Sequence, residues 1–532
     1  MSPGRRGALA QLKAQLNKTN WQRQDMMQHR YSLLVLAAWL MLPLPTYAQD
    51  GQAGDASKAT PKQAEKTESD WSVTEHEVTI DGEAVPYTAT AGTIQLKDDK
   101  DKTKANIFFI SYTGKHEGKP QDRPVMFCFN GGPGSSSVWL HMGCFGPRRV
   151  HMDDIGHAVG PPYGLKDNAM SLLDTTDLVF IDPVSTGFSR VEEGTQPSEY
   201  HSVTGDINSV AEFIRLWITK NDRWLSPKYL AGESYGTTRA AGVANRLQSR
   251  GIDLNGVVLV SAVLSFQTLR FDEGNDLPYQ LYLPTYTALA HYHKQLPERY
   301  QDMELADLLD MAEAWSRETY GPALMRGAEL PEDERDAIAS ELSRLTALPK
   351  DLILDSNLRV PQWRFSDNLL EEEGEVIGRF DGRIIGPDLD EATDSSGAKD
   401  PSYYRVAGGF TATFNDYVRG ELGYETDMDY GILVGLRWNY DRAKSSYLNV
   451  AGDLRKAMAE NPKLRVYVAA GYYDLATPYH AAEYTINHSI THPHARERVT
   501  FGYFESGHMV FTRAKSLEKL RGELVDFFDE ND

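Results

Sequence analysis

Tyr229-Leu230-Ala231 is a short apolar run that breaks off at Gly232-Glu233-Ser234-Tyr235-Gly236, and a stretch of small residues with helical character, Thr238 to Leu247, follows it. Few folds accommodate a strand that passes through one serine between glycines straight into a helix. The glycines leave room for a strained backbone, the turn exposes the hydroxyl, and the amino terminus of the helix beneath it favours negative charge. A G-x-S-x-G pattern alone also arises as a structural turn. Here the strand before it and the helix after it favour Ser234 as a nucleophile.

The neighbouring sequence predicts the rest of the fold. Val125–Phe129 ends in Asn130-Gly131-Gly132-Pro133-Gly134, Leu178–Ile181 ends in Asp182-Pro183, and Val257–Val260 is a fourth apolar run. Between them, Gly205–Thr219 places Ile207, Val210, Phe213, Ile214 and Trp217 at amphipathic-helix spacing. Short apolar strands alternating with helices predict an α/β architecture, a mostly parallel sheet with helices on both faces. Upstream, Val73–Ile80, Val85–Leu96 and Ala105–Thr113 are separated by Asp81-Gly82 and the charged Lys97–Lys104, which predicts an antiparallel start.

From residue 266 to 430 the rhythm stops. Helical character at Glu304–Glu318 and Glu332–Leu348, many tyrosines and acidic residues, and a loop-like Asp388–Pro401 suggest an insertion, or lid, over the active-site end of the sheet. The core resumes with a helix at Ser445–Glu460, strands at Arg465–Ala470 and Val499–Phe504, and a last helix at Ala514–Phe528. The catalytic core is thus expected over 71–265 and 431–532.

Composition narrows the function classes. The net charge of −21 over 532 residues disfavours a nucleic-acid partner, which needs clustered Lys and Arg. Cys128 and Cys144 are too few for a disulfide scaffold and lack zinc spacing, so no metal site is expected. One bridge between them, or a buried thiol on a strand and another in a loop, both stay open. At the amino terminus, Arg23, His29 and Arg30 precede the apolar Tyr31–Leu44, and Thr46-Tyr47-Ala48 follows. That pattern reads as a signal peptide over 1–48, with Met26 or Met27 as an alternative start, and export to the periplasm or medium. The apolar stretch is short for a membrane anchor. Gln49–Asp70 is polar and reads as a disordered linker.

A serine needs a histidine to take its proton and an acid to hold that histidine in one tautomer. In the order Ser, Asp, His, the candidates are Asp474, just past the strand Arg465–Ala470, and His508, just past the strand ending at Phe504. His141 and His480 compete, but neither follows the last strand. The oxyanion of acyl transfer needs two N–H donors: one from Tyr235, the residue after the nucleophile, the other from the glycine-rich loop at 130–134. A phosphate-cradling role for that loop lacks the GxxxxGK[ST] pattern.

FNGGPGSSS, GESYG, GYYDLATP and SGHMV, in that order, resemble the serine carboxypeptidase family, the carboxypeptidase Y or cathepsin A-like peptidases, from about residue 105 onward. The resemblance implies an α/β-hydrolase fold and a cofactor-free exopeptidase acting on peptide or protein C-termini. It implies Ser234, Asp474 and His508 as the triad, Gly132 and Tyr235 as oxyanion donors, and Asn130 with Glu233 as the group that binds the substrate's terminal carboxylate. Met509 is a candidate lining residue of the pocket for the departing residue. Because two adjacent carboxyls can bond only by sharing a proton, Glu233 predicts a preference for acidic pH. Ser135, where many members have Cys, the pair Glu505-Ser506, and Phe511, where proline is usual, depart from the family pattern. The same machinery also fits an esterase or acyltransferase, and an inactive binding protein is the remaining alternative. Amino-terminal sequencing of the exported protein is expected to begin at Gln49; a mature chain that begins upstream of Tyr31 contradicts the signal-peptide reading.

Overall fold

The computed structural model describes residues 71–388, 400–443 and 446–529; the segments read as signal peptide and linker lie outside the described residues. Three strands open the described chain, β1 (Ser72–Ile80), β2 (Glu83–Lys97) and β3 (Thr103–Gly114), paired antiparallel. Asp81 and Gly82 take positive φ angles of 51° and 84°, which the tight hairpin between β1 and β2 requires.

Six shorter strands follow: β4 (Val125–Phe129), β5 (Asp177–Ile181), β6 (Lys228–Glu233), β7 (Gly256–Val260), β8 (Arg465–Gly471) and β9 (Val499–Phe504). They continue the sheet in the spatial order β1-β2-β3-β5-β4-β6-β7-β8-β9. The β3–β5 pairing is antiparallel and every later one in this path is parallel. All residues of β4 to β7 are buried, as strands covered on both faces must be. This is the α/β-hydrolase arrangement.

Alternate residues of each strand feed two cores. Phe127 and Leu230 pack with α1 (Val203–Lys220) and α2 (Tyr235–Gln248). Met126, Cys128 and Tyr229 face the other side. The segment 266–430 supplies α3 (Leu277–Tyr292), α4 (Leu305–Trp315), α5 (Glu332–Thr346) and α6 (Pro401–Gly420). The first three form a third apolar cluster with Tyr473, Leu475 and Tyr479, beyond the end of β8. In contrast, α6 buries Phe410, Phe414 and Tyr417 in the core on the Met126 side of the sheet.

The downstream helices are α7 (Ala451–Glu460), α8 (Tyr479–Ser489) and α9 (Ala514–Asp529), the last adding Leu520, Leu524 and Phe527 to the core around Met126. Here α7 begins at Ala451 and not at Ser445 as its sequence suggests. Tertiary bonds claim the preceding backbone: Phe266 N–H donates to the Leu448 carbonyl and Val450 N–H to the Leu264 carbonyl, each at 2.8 Å. Both cysteines are buried and free, so the bridge left open by the sequence does not form. No helix among the described residues is long and apolar enough to cross a membrane.

One buried ion pair joins the two helices beside the central strands. Arg239 Nε on α2 donates to both carboxylate oxygens of Asp206 on α1, at 2.9 and 2.8 Å, and both side chains are almost fully buried. Arg239 Nη1 also donates to the Asn130 carbonyl, which carries the pair's influence to the glycine loop. Removing one member of such a pair strands a buried charge, whereas the intact pair is close to neutral. Asp206→Ala is therefore expected to lower unfolding stability by about 3–5 kcal/mol, read from urea denaturation, and a loss under about 1 kcal/mol would contradict this account.

Candidate active site

β4, β6, β8 and β9 all release their chains at the same edge of the sheet, because they run parallel. Ser234 sits in the turn between β6 and α2 at φ 59°, ψ −129°, a conformation rarely tolerated away from functional turns. Its N–H donates to the Val260 carbonyl at 3.0 Å, and its own carbonyl accepts from Thr237 N–H at 2.9 Å. Close backbone approach explains the flanking glycines. A Cβ on Gly232 would strike the Gly236 carbonyl, and one on Gly236 would lie 2.8 Å from the Phe129 carbonyl. Tyr235 opens α2, so its N–H has no partner within the helix. A Cβ on Gly131 would collide with that nitrogen, which places the glycine loop directly against the turn.

His508 follows β9 and Asp474 follows β8. His508 Nδ1 and Asp474 Oδ2 lie 2.7 Å apart, with the carboxyl fully buried. The second carboxylate oxygen accepts from the N–H groups of Ala476 and Thr477 at 2.7 and 2.9 Å, and Thr477 Oγ1 donates to Oδ2 at 2.7 Å. Burial works against the imidazolium, but the Asp474 carboxylate outweighs it and holds His508 above the ordinary histidine range. An imidazole fixed through Nδ1 leaves Nε2 to exchange protons.

Ser234 and His508 line one cavity of about 410 Å³, together with Asn130, Gly132, Glu233, Tyr235 and Met509. The structure thus brings all of these predicted residues to one space, with Asp474 behind His508. Asn130 is oriented by Leu140 N–H, which donates to its Oδ1 at 3.1 Å, and its amide nitrogen donates to Glu233 Oε2. Glu233 is 3% exposed, and among the described residues its Oε1 has no hydrogen-bond partner. Burial pushes this carboxyl up to about 8; His508 and the Asn130 hydrogen bond pull the other way, and Asp474 adds to the rise. A neutral Glu233 has one O–H to offer.

The competing histidines lie elsewhere. His141 is buried against Tyr112, its Nε2 lying 2.7 Å from the Tyr112 hydroxyl, and burial pushes it down to about 3. His480 pairs with Glu483 at 2.7 Å and lies 3.7 Å from Glu313; these three offer ligand-type atoms within 4.8 Å of one another but do not line the cavity. Ser135 is tied to the chain beyond α6: it bridges Leu433, and its hydroxyl accepts from Trp139 Nε1 at 2.9 Å. Phe511 is buried where a Cβ on Gly143 would meet its ring.

Sequence reasoning missed residues 379–383. Phe380 stacks on His508, with ring centroids 5.2 Å apart and planes 25° apart, and its carbonyl accepts from His508 N–H at 2.6 Å. Leu475 N–H donates to the Arg379 carbonyl at 3.1 Å, and Gly382 N–H to that of Tyr473 at 3.0 Å. Asp381 and Arg383 form a buried ion pair that stiffens the segment. Gly507 is the one local signal: any Cβ there would strike the Phe380 carbonyl.

Residues 81–273 match the family described as serine carboxypeptidase. Serine carboxypeptidase-like 9 of Arabidopsis thaliana is 27% identical over 212 residues, which cover 37% of this chain and 44% of that protein. Serine carboxypeptidase-like 5 of the same plant is 29% identical over 156 residues, 29% of this chain and 33% of that one. The chain thus matches less than half the length of these relatives. A prohormone-processing carboxypeptidase from Saccharomyces cerevisiae has the same fold, with a TM-score of 0.53 at 18% identity, covering 84% of this chain and 92% of that one.

The state of Glu233 has a measurable consequence for stability. Unfolded, its carboxyl titrates near 4.5; folded, it keeps its proton to about 8. The stabilisation from that proton is complete below the first value and is lost as pH rises through the second. Relative to Glu233→Gln, the wild-type protein is expected to lose unfolding stability between pH 5 and pH 8, by up to about 1.4 kcal/mol per pH unit. Parallel urea-denaturation profiles for the two proteins across that range would overturn the assignment.

Proposed function

We propose that this chain is an exported serine carboxypeptidase that releases single residues from the C-termini of peptides. The carrying observation is the buried Glu233, hydrogen-bonded to Asn130, in the same cavity as Ser234 and His508. Family likeness over 81–273 supports the same reading. A triad alone suits any acyl transfer. A neutral carboxyl beside it suits a substrate that ends in a carboxylate, because the shared proton turns repulsion into a charge-assisted hydrogen bond.

In this proposal the terminal carboxylate accepts hydrogen bonds from the Glu233 O–H and the Asn130 amide. Ser234 Oγ attacks the carbon of the last peptide carbonyl while His508 Nε2 takes the hydroxyl proton. The oxyanion meets the N–H groups of Gly132 and Tyr235, and Asp474 stabilises the imidazolium through Nδ1. His508 then protonates the departing nitrogen, the C–N bond breaks, and the terminal amino acid leaves an acyl-Ser234 ester. Water, deprotonated by His508, hydrolyses that ester and restores the serine. Met509 lines the space for the departing residue.

Ser234→Ala is expected to abolish hydrolysis of blocked dipeptides, by a factor on the order of a million in kcat. Activity on free-acid dipeptides is expected to fall as pH rises through about 8, where Glu233 loses its proton. The amides and esters of the same dipeptides should lack that alkaline limb. Superimposable pH profiles for free acid and amide, or cleavage confined to esters, would overturn the carboxypeptidase reading.

A further inference from the structure

The cavity wall is largely apolar. Trp139, Phe266, Leu269, Phe380 and Met509 contribute to it, along with the polar groups already described. Into this wall the segment 379–383 sends Arg379, among the described residues the one lining residue with a permanent positive charge. Its side chain is exposed, and its guanidinium carbon lies 5.6 Å from the centre of the Phe380 ring. Among the described residues it forms no ion pair, although the buried arginines Arg223, Arg239 and Arg383 each have a carboxylate partner. The chain as a whole carries a net charge of −21, so a cation facing this cavity runs against the prevailing field.

The backbone around Arg379 is fixed. Its N–H donates to Asp400 Oδ1 at 3.1 Å, and its carbonyl accepts from Leu475, the residue after Asp474. The guanidinium is near enough to His508 to oppose protonation of the imidazole, a smaller effect than that of Asp474. A planar five-donor group lining the cavity near His508 recognises carboxylates. The terminal carboxylate already has a partner in Glu233 and Asn130, so the complementary group is a second one.

We propose that Arg379 is a specificity-determining residue that selects substrates with an acidic side chain on one of the two residues flanking the scissile bond. This rests on the carboxypeptidase reading. The guanidinium pairs with a substrate Glu or Asp side chain while the apolar wall takes the other residue of the pair.

The test compares kcat/KM for blocked Phe-Glu against Phe-Gln, and blocked Glu-Phe against Gln-Phe, at low salt. Glutamate is expected to be favoured over glutamine by about fivefold at one of the two positions, the upper range for a solvent-exposed ion pair, with the preference shrinking as salt rises. Arg379→Gln should bring that ratio to about one, and Arg379→Glu should invert it in favour of glutamine. Each result is a ratio within one protein, so a general loss of activity cancels. A wild-type ratio near one at both positions overturns the proposal, as does a uniform loss across all free acids with ratios unchanged, which would mark Arg379 as a partner of the terminal carboxylate. Calorimetric binding of the same dipeptides to Ser234→Ala, with and without Arg379→Gln, reads the preference without turnover. An Arg379-dependent preference in binding from a protein that cleaves no free acid supports the specificity assignment and overturns the carboxypeptidase reading; cleavage without preference does the reverse.

Discussion

The turn at Ser234 is possible only because three backbone segments touch without side chains between them. Gly131, Gly232 and Gly236 leave carbonyls and amides in direct contact, so the serine has almost no conformational freedom and takes a positive φ. That strain is borne by the fully buried strands on either side and by the Asp206–Arg239 pair, which grips both helices and the Asn130 carbonyl. Gly132, Ser234, Tyr235 and the Asn130–Glu233 pair all issue from these same crowded segments. Their relative positions are therefore set by main-chain packing, which leaves little room to adjust one without the others.

Charge at the site is arranged by solvent exclusion more than by partners. Asp474 has every carboxylate oxygen occupied by N–H and O–H donors, which suits an anion. Glu233, similarly buried, has among the described residues a single amide donor and one oxygen without a partner, and burial favours its neutral form. Two carboxyls in one small region thus meet opposite surroundings, one saturated with donors and one left to keep its own proton. His508 lies between these influences and is decided by Asp474.

Much of this was legible in the sequence because strands, turns and capping residues are local. The apolar runs at Val125–Phe129 and Val257–Val260 appear as β4 and within β7, and Ser234, Asp474 and His508 lie at strand ends where their motifs place them. What escaped notice depends on long-range contact. The start of α7 is set by Leu264 and Phe266, some 180 residues upstream by order of magnitude, and no local preference encodes that. Likewise α6 has an amphipathic pattern, but nothing in it says that Phe410 and Phe414 close the main core. The segment 379–383 carries no motif; its importance shows only when the Phe380 ring is seen against His508.

That stacking contact, with the hydrogen bond from His508 N–H to the Phe380 carbonyl, bears on how the protein could be dissected. A minimal protein built by excising the helical segment would strip the imidazole of its ring partner and orphan a buried amide, at a cost of about 1–3 kcal/mol at the most sensitive position in the molecule. The part that looks dispensable in the linear chain is a supporting wall of His508. Any attempt to trim, graft or swap that segment between relatives must carry a replacement for one carbonyl and one aromatic face.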